Sequence, residues 1–246
     1  MKEQRYTLLE DHYFGMLMSV LTVFKENDCQ PIIVGGVAVQ AHILSLVGLE
    51  NAAKYLRKTD DYDMVIQNAD GKKIIDIIKL LNNESFIIGD TIFSISVLRS
   101  GENKSCLRVE YLGGKDSKDE IKSFTIKLDI STKPGTLEYI STEQAEMMYK
   151  DATEVKIRHL RYASELEAKV LLIEDLIATK LSNGRKKDIK DVDTLVCVAG
   201  EKGLLIDWDK TKKRIDSMKD LYRRDIARRN MRAFKRILKD CRALVV

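Results

Sequence analysis

Ten residues, RKTDDYDMVI from Arg57 to Ile66, place three aspartates within four positions directly before an apolar run. The apolar tail predicts a β-strand, in which side chains alternate between the two faces. Asp61 and Asp63 are therefore expected on one face, and Asp60 and Tyr62 on the other. Two carboxylates on one face suit Mg²⁺, a cation that prefers oxygen ligands. The alternative is an acidic turn that meets only water.

A pair of glycines, Gly35 and Gly36, follows the apolar segment PIIV and precedes VAVQAHILSLVGL, which contains no helix breaker. This order predicts a buried strand, a turn and the N-terminus of a helix. Free backbone N–H groups and the helix dipole at such a position favour phosphate. A tight turn with close packing would use the same residues. The segment is neither a P-loop, because no Gly-Lys-Ser/Thr follows, nor a dinucleotide fingerprint, because the third glycine is missing.

A third carboxylate lies in FTIKLDIS, a segment that alternates as a strand does. Its apolar residues are expected on one face and Asp129 on the other. An aspartate costs several kcal/mol to bury unpaired, so Asp129 should have a partner. A metal ion shared with Asp61 and Asp63 would be one, and three aspartates can hold two divalent ions for phosphoryl or nucleotidyl transfer. Glu110 in LRVEYL competes for the third place, and a plain edge-strand charge is the alternative for either residue.

Four segments in order resemble the AbiEii-type nucleotidyltransferases, a bacterial and archaeal branch of the DNA polymerase β-like superfamily that often supplies the toxin of a toxin–antitoxin pair. They are PIIVGGVAVQAH, RKTDDYDMVI, IKLDIS and LIEDLIATKLSNGRKKDIKDVDTL, and together they extend from about residue 30 to residue 196. The resemblance implies Mg²⁺-dependent transfer of a nucleoside monophosphate from an NTP to an acceptor hydroxyl. It also implies RNA as the acceptor, with a tRNA 3′ end as the first candidate, and an antitoxin protein as a partner.

The resemblance assigns roles to individual positions. The catalytic residues it implies are Asp61, Asp63, Asp129 and Lys180. The first three are also the implied Mg²⁺ ligands at a site for up to two ions, and Asp129 is the base or the third ligand. The nucleotide-binding residues it implies lie in the glycine pair and in three motifs, R-x-T-x-D-x-D, E-D-L-x-x-x-K and R-x-x-D-x-x-D: Gly35, Gly36, Arg57, Thr59, Lys180, Arg185, Asp188 and Asp191. Many relatives have Gly-Ser where this chain has Gly-Gly, so the phosphate contact must come from the backbone.

Asp188 and Asp191 are three residues apart on a predicted helix and therefore neighbours on one face. Either carboxylate could orient Lys180 or Arg185 toward the nucleotide. The alternative is an exposed helix whose ion pairs use the surrounding lysines.

The order of predicted elements is mixed α/β first and all-α afterwards. A helix is expected over Tyr6–Phe24, three strand-like segments precede residue 132, and helical signals begin at Ser141. The sequence therefore predicts an α+β protein, with a nucleotidyltransferase-fold mixed sheet and flanking helices followed by an α-helical bundle domain. The expected domains are residues 1–140 and 141–246, the second with a basic C-terminal end.

Charge is distributed unevenly along the chain. Residues 208–246 contain 14 Lys and Arg against 5 Asp and Glu, a net charge of +9, so the first 207 residues carry −5 of the total of +4. A basic end suggests a polyanion partner such as RNA, and a solvated helical face is the alternative.

The location expected from the sequence is cytoplasmic, with no membrane partner. The N-terminus is too charged for a signal peptide, and no apolar run approaches the roughly 20 residues needed to cross a bilayer. The four cysteines are far apart without a CxxC motif, which suits reduced thiols.

Two alternatives to the RNA hypothesis remain open. The acceptor could be a protein hydroxyl or a small molecule such as an aminoglycoside. The chain could also be a catalytically silent module that binds nucleic acid or a partner, with purely structural carboxylates.

Overall fold

The structure is a computed structural model that describes residues 5–66, 70–88, 91–101, 104–113, 123–131, 142–159 and 165–242. The helices in this part of the chain are α1 Asp11–Glu26, α2 Gly35–Val47, α3 Leu49–Ala52, α4 Gly71–Leu80, α5 Thr142–Lys150, α6 Ile173–Asn183, α7 Lys186–Glu201, α8 Trp208–Asp216 and α9 Leu221–Arg242. The strands are β1 Ile32–Val34, β2 Asp61–Val65, β3 Ser85–Ile88, β4 Thr91–Arg99, β5 Lys104–Gly113, β6 Ser123–Ser131, β7 Thr153–Ile157 and β8 Leu166–Val170.

The eight strands form one mixed sheet in the order β3-β4-β5-β6-β2-β1-β8-β7. β2 and β6 are parallel, as are β1 and β8, and the other neighbours are antiparallel. The central strands alternate as the sequence predicts: on β6 the apolar side chains from Phe124 to Ile130 are buried, while Asp129 is partly exposed. This mixed sheet with flanking helices, followed by helices α6 to α9, confirms the predicted α+β class.

The chain divides into two compact units. The first comprises Met1–Thr136 and Ala152–Leu171, and the second comprises Leu137–Asp151 and Leu172–Val246. The first unit contains the whole sheet, and the described helices of the second are α5 to α9. Because the two units alternate along the chain, the division into functional domains at residue 140 remains a proposal.

Two elements differ from the sequence prediction. Helix α1 begins at Asp11 rather than at Tyr6, because Tyr6 forms a β-bridge with Thr59 and exchanges two backbone hydrogen bonds of 2.7 and 2.8 Å with it. The region after Ser141, predicted as helical, also contains β7 and β8. Their sequences, TEVKI and LEAKV, bury alternate residues, which is the pattern of strands with one covered face.

Among the described residues, no helix is both long enough and apolar enough to cross a membrane.

Candidate metal and nucleotide site

The three aspartates predicted as metal ligands lie together on one face of the sheet. Parallel pairing of β2 and β6 places Asp63 directly opposite Asp129, and Asp61 opposite Lys127. Asp61 and Asp63 share a face because they are two residues apart on a strand. One carboxylate oxygen from each aspartate lies within 4.8 Å of those of the other two, and all three residues are partly buried. The acidic turn at the start of β2 is therefore one part of a three-carboxylate cluster.

The glycine pair lies beside this cluster because β1 and β2 are antiparallel neighbours. Val34, the last residue of β1, pairs with Asp63, so helix α2 begins immediately next to the Asp63 carboxylate. Gly35 has a φ of +68°, and a Cβ at this position would lie 1.9 Å from Asp63 Oδ2. Both the positive φ and the missing side chain are needed here. The glycine thus allows the helix N-terminus to contact the strand that carries Asp61 and Asp63.

Gly36 faces the motif that precedes β2. A Cβ on Gly36 would lie 3.1 Å from Thr59 Oγ1 and 3.3 Å from Arg57 Nη2. The Thr59 hydroxyl donates a hydrogen bond of 2.6 Å to Asp61 Oδ1, which fixes the orientation of that carboxylate. The space next to Gly36, where a serine side chain would begin, is therefore bordered by a threonine hydroxyl and a guanidinium. The structure brings the four R-x-T-x-D-x-D residues and both glycines to one place.

Charged neighbours surround the acidic cluster. Burial raises the pKa of the Asp129 carboxyl, Lys104 lowers it, and the negative charge of Asp61 raises it further. Lys104 is the cross-strand partner of Asp129 on β5. Asp60, predicted on the opposite face from Asp61, precedes the strand and forms an ion pair of 3.3 Å with Lys127. The cluster therefore has an excess of negative charge that a bound cation would relieve.

Glu110, the rival for the third carboxylate, lies elsewhere on the sheet. It pairs with Ser123, whereas Lys104 on the same strand pairs with Asp129. Six residues of strand separate these pairs, which corresponds to about 20 Å. The Glu110 carboxylate is 3.5 Å from Arg108 Nη1. The carboxylate that lies with Asp61 and Asp63 is therefore that of Asp129 and not that of Glu110.

Three carboxylates at this separation match the ligand preference of Mg²⁺. Oxygens bound to one Mg²⁺ at 2.0–2.1 Å are about 3–4 Å apart, so oxygens within 4.8 Å need only small side-chain movements to share an ion. The partial burial of all three residues and the raised pKa of Asp129 show that this charge is costly without a cation. The residues present fit a divalent metal.

Of the remaining predicted site residues, Lys180, Asp188 and Asp191 form a buried cluster in the second unit, and Arg185 borders it. Lys180 Nζ lies 3.2 Å from Asp188 Oδ1 and 2.8 Å from Asp191 Oδ2, and each of the three residues is at most 4% exposed. Arg185 donates to Asp188 from Nε at 2.5 Å and from Nη2 at 3.2 Å, and its side chain is 58% exposed. Asp188 and Asp191 therefore do not lie on an exposed helix face, whereas Arg185 is exposed and forms an i,i+3 ion pair as that alternative predicts. In this cluster the exposed cation is Arg185, while Lys180 is enclosed between two carboxylates.

Two residues that support the site have no site role predicted from the sequence. Tyr13 on α1 donates a hydrogen bond of 2.9 Å from its hydroxyl to the Asp61 carbonyl, and burial raises its pKa, which keeps it protonated as a donor. Gln40 on α2 is 1% exposed and bonds to the backbone of Arg57. For Gln40 a sequence signal exists, namely an amide side chain in the otherwise apolar stretch VAVQAHILSLV.

No protein-family model and no curated protein matches the sequence, so the AbiEii-type resemblance remains a prediction. Several solved structures resemble the chain. MenT4, a nucleotidyltransferase toxin from Mycobacterium tuberculosis, is 14% identical over 82% of this chain, with a TM-score of 0.48. JHP933 from Helicobacter pylori is 15% identical over 96% of this chain and 97% of its own, with a TM-score of 0.43. The antibiotic-resistance factor ANT(2'')-Ia is 13% identical over 95% of this chain and 99% of its own, with a TM-score of 0.43.

The chain spans 63% of the length of MenT4. Similarity at these values does not establish a shared activity or acceptor.

Proposed function

We propose that this chain is a nucleotidyltransferase: an acceptor hydroxyl attacks the α-phosphate of an NTP, the nucleoside monophosphate is transferred to that oxygen, and pyrophosphate leaves. The observation that carries the proposal is the convergence of Asp61, Asp63 and Asp129 beside a helix that begins with two glycines. Carboxylates that can hold divalent metal, next to an N-terminus that favours phosphate, are the two parts that transfer from a triphosphate requires.

Each residue has a distinct task in this proposal. Asp61, Asp63 and Asp129 would hold Mg²⁺, which, when bound, lowers the pKa of an attacking hydroxyl and neutralises charge on the phosphates. Thr59 keeps the Asp61 carboxylate in position through its 2.6 Å hydrogen bond. The backbone N–H groups at the start of α2 and the Arg57 guanidinium beside Gly36 bind phosphate oxygens.

Asp129 is the residue best suited to accept the proton of the acceptor hydroxyl. Its carboxylate oxygen lies within 4.8 Å of those of Asp61 and Asp63, so it could reach a hydroxyl held at a shared ion. The register also places it opposite Lys104, on the β5 side of the cluster, whereas the glycine turn lies on the β1 side. The NTP phosphates would thus reach the carboxylates from the β1 side, and the acceptor would reach them from the β5 side.

RNA is the acceptor favoured in this proposal, with a tRNA 3′ end as the first candidate. The support is the net charge of +9 in residues 208–246, because clustered Lys and Arg bind the phosphate backbone. The proposed location is cytoplasmic, the proposed role is that of a toxin, and the proposed partner is an antitoxin protein.

Metal and nucleotide binding tests the proposal without knowledge of the acceptor. Mn²⁺ with an NTP should raise the melting temperature of the wild type, because a ligand that binds only the folded state stabilises it. The same additions should leave the melting temperature of Asp61→Ala/Asp63→Ala unchanged. Asp60→Ala is the matched control, since it removes a neighbouring carboxylate that pairs with Lys127 and should retain the shift. A double alanine variant that responds like the wild type would contradict the metal role.

Transfer itself is tested with labelled NTPs and separate acceptors. Purified tRNA, a protein extract and aminoglycosides are incubated in turn with the wild type and with Asp61→Ala/Asp63→Ala. Label that enters only RNA, and only with the wild type, supports the RNA proposal. Label in the protein extract or in the antibiotic would identify that molecule as the acceptor instead of RNA. If Mn²⁺ and NTP bind but no acceptor is labelled, the catalytically silent module is favoured.

Growth of cells on induction tests the toxin role. Induction of the wild type should stop growth, and induction of Asp61→Ala/Asp63→Ala at equal protein level should not. Normal growth with the wild type would contradict toxicity.

A further inference from the structure

Gln40 is a fully buried amide in the first unit, and among the described residues its side chain bonds to backbone groups. It is 1% exposed and lies on α2, four residues after Gly36 and therefore on the same side of the helix. Its Oε1 accepts a hydrogen bond of 2.6 Å from the Leu8 N–H. Its Nε2 donates to the Arg57 carbonyl at 2.9 Å and to the Tyr6 carbonyl at 3.5 Å.

These bonds join three separate chain segments next to the carboxylate cluster. The segment that contains Tyr6 is itself bridged to Thr59 by two backbone hydrogen bonds. Thr59 in turn donates its hydroxyl hydrogen bond to Asp61 Oδ1. One side chain of α2 thus holds both the segment that carries Arg57 and the backbone that pairs with Thr59.

We infer that Gln40 is a positioning residue of the metal site. Its amide fixes the distance between the helix that begins at Gly35 and Gly36 and the segment that carries Arg57 and Thr59. Thr59 then orients Asp61. This inference rests on the proposed function, because it assumes that the carboxylates hold a divalent metal.

The arrangement explains why an amide is needed at this position. An amide provides two N–H donors and a carbonyl acceptor, and here two carbonyls and one N–H of the backbone face it. Methionine has a similar length but would leave all three backbone groups without this partner. Glutamate keeps the acceptor for Leu8 and loses both donors, so it would place a carboxylate oxygen against two carbonyl oxygens.

The test measures metal affinity, because misplacement of Thr59 and Asp61 should weaken it, and a buried control variant measures the effect of a general loss of packing. Mn²⁺ is titrated into the full chain and followed by electron paramagnetic resonance, with and without α,β-methylene ATP. Gln40→Met should weaken Mn²⁺ binding about tenfold, as loss of groups that orient metal ligands commonly does. Gln40→Glu should weaken it as well, and it serves as the measured variant if Gln40→Met does not fold.

His42→Leu is the matched control on the same helix. His42 is also buried, and its Nε2 bonds to the Leu171 carbonyl at 2.8 Å, away from the segment that carries Arg57. This variant should lower the melting temperature and keep the wild-type Mn²⁺ affinity.

The outcomes separate the inference from the proposed function. A wild type that binds no Mn²⁺ overturns the proposed function. A wild type that binds Mn²⁺, with Gln40 variants that bind it equally well, overturns only the positioning role. Equal weakening by His42→Leu and the Gln40 variants also overturns it, since the effect would then be one of general stability.

Discussion

Gly35 is required both by the backbone conformation at the start of α2 and by the position of the Asp63 carboxylate. Its φ of +68° is unfavourable for any side chain, and a Cβ there would lie 1.9 Å from Asp63 Oδ2. A substitution must therefore displace either the start of α2 or a carboxylate of the cluster. The sequence alone indicates a turn at this position, but only the pairing of Val34 with Asp63 reveals what the turn must avoid.

Gly35→Ala should weaken Mn²⁺ binding strongly and lower the free energy of unfolding. The backbone strain alone costs about 1–2 kcal/mol, and movement of the Asp63 carboxylate would displace a proposed metal ligand. Mn²⁺ titration and urea unfolding of the full chain measure the two effects.

Gly48→Ala is the control for Gly35→Ala. Gly48 has a similar φ of +72°, and nothing lies within 4 Å of a Cβ built there. The control should show the reduced free energy of unfolding and an unchanged Mn²⁺ affinity. If Gly35→Ala binds Mn²⁺ as the control does, the close approach to Asp63 has no role in the site.

The site residues that can be predicted from the sequence are those whose positions follow from the period of a single strand or helix. Asp61 and Asp63 share a face because a strand has a period of two, and Asp129 follows from the same rule on β6. The choice between Asp129 and Glu110 depends on the register between strands, which periodicity does not contain. The role of Gln40 is hidden from the sequence because its three partners are backbone groups from distant segments.

At the scale of elements, the open face of the sheet continues from the acidic cluster into a basic area. Side chains of cross-strand partners point to the same face of a sheet. Lys104 on β5 pairs with Asp129 and therefore lies on the face of the acidic cluster. Cys106, two residues further along β5, lies on that face as well, and so does its partner on β4, Arg99. The side chains of Lys104 and Arg99 are both exposed. An RNA strand that brings a hydroxyl to Asp129 would pass these cations.

Arg99→Ala/Lys104→Ala should therefore weaken RNA binding and flatten its salt dependence. Two fewer neutralised phosphates reduce the slope of log affinity against log salt by about 1.4 for single-stranded RNA. Filter binding at several salt concentrations measures the slope. Lys72→Ala/Lys73→Ala on α4 is the control, because it removes the same charge from two exposed lysines of another element. Equal slopes for the two variants would mean that net charge, rather than this face, determines binding.

The second cluster connects α6 to α7 through buried charge. Lys180 lies between Asp188 and Asp191, so removal of its ammonium would take a buried cation away from both carboxylates, although Asp188 would keep its bonds from Arg185. Arg185 lies at the solvent side of the same group. The direct phosphate contact that the resemblance assigns to Lys180 would require it to leave both partners.

Lys180→Met should lower the free energy of unfolding of the second unit by about 3–5 kcal/mol, the cost of breaking a buried ion pair. Arg185→Ala is the comparison: it removes a half-exposed partner and should cost about 1 kcal/mol or less. Trp208, the only tryptophan in the chain, lies on α8 of the second unit and reports its unfolding by fluorescence. A Lys180→Met protein as stable as the wild type would show that the ammonium is available for another role, such as binding phosphate.

At the scale of the whole molecule, sequence order predicts the mixed sheet and the later helices but not the return of the chain to the sheet. β7 and β8 follow α5, pair with each other and, through β8, with β1, so residues 152–171 belong to the first unit. Two short alternating segments carry little sequence signal, and their partner strand β1 lies more than 100 residues earlier. Such long-range pairing is decided by burial of the sheet rather than by local preference.

Charge asymmetry is the property of the whole chain that bears on its partner. Helix α9 carries the basic excess, and Arg228 Nε already pairs with Asp216 Oδ1 at 2.8 Å. Arg223 Nη1 bonds to Asn183 Oδ1 at 3.0 Å. Part of the basic charge thus stabilises the second unit, while Arg229 is exposed. The solvated-face alternative and the RNA hypothesis make different predictions for these arginines.

Replacement of Arg223, Arg224, Arg228 and Arg229 by glutamine should weaken RNA binding and reduce the salt slope by up to about 2.8, or about 0.7 for each phosphate that an arginine no longer neutralises. Because two of these side chains bond within the second unit, Trp208 fluorescence must first show that the variant is folded. The single variant Arg229→Gln avoids that complication and should change the slope by about 0.7. Unchanged RNA affinity in a folded quadruple variant would assign α9 to a solvated face and leave the sheet-face cations as the RNA-binding groups to test.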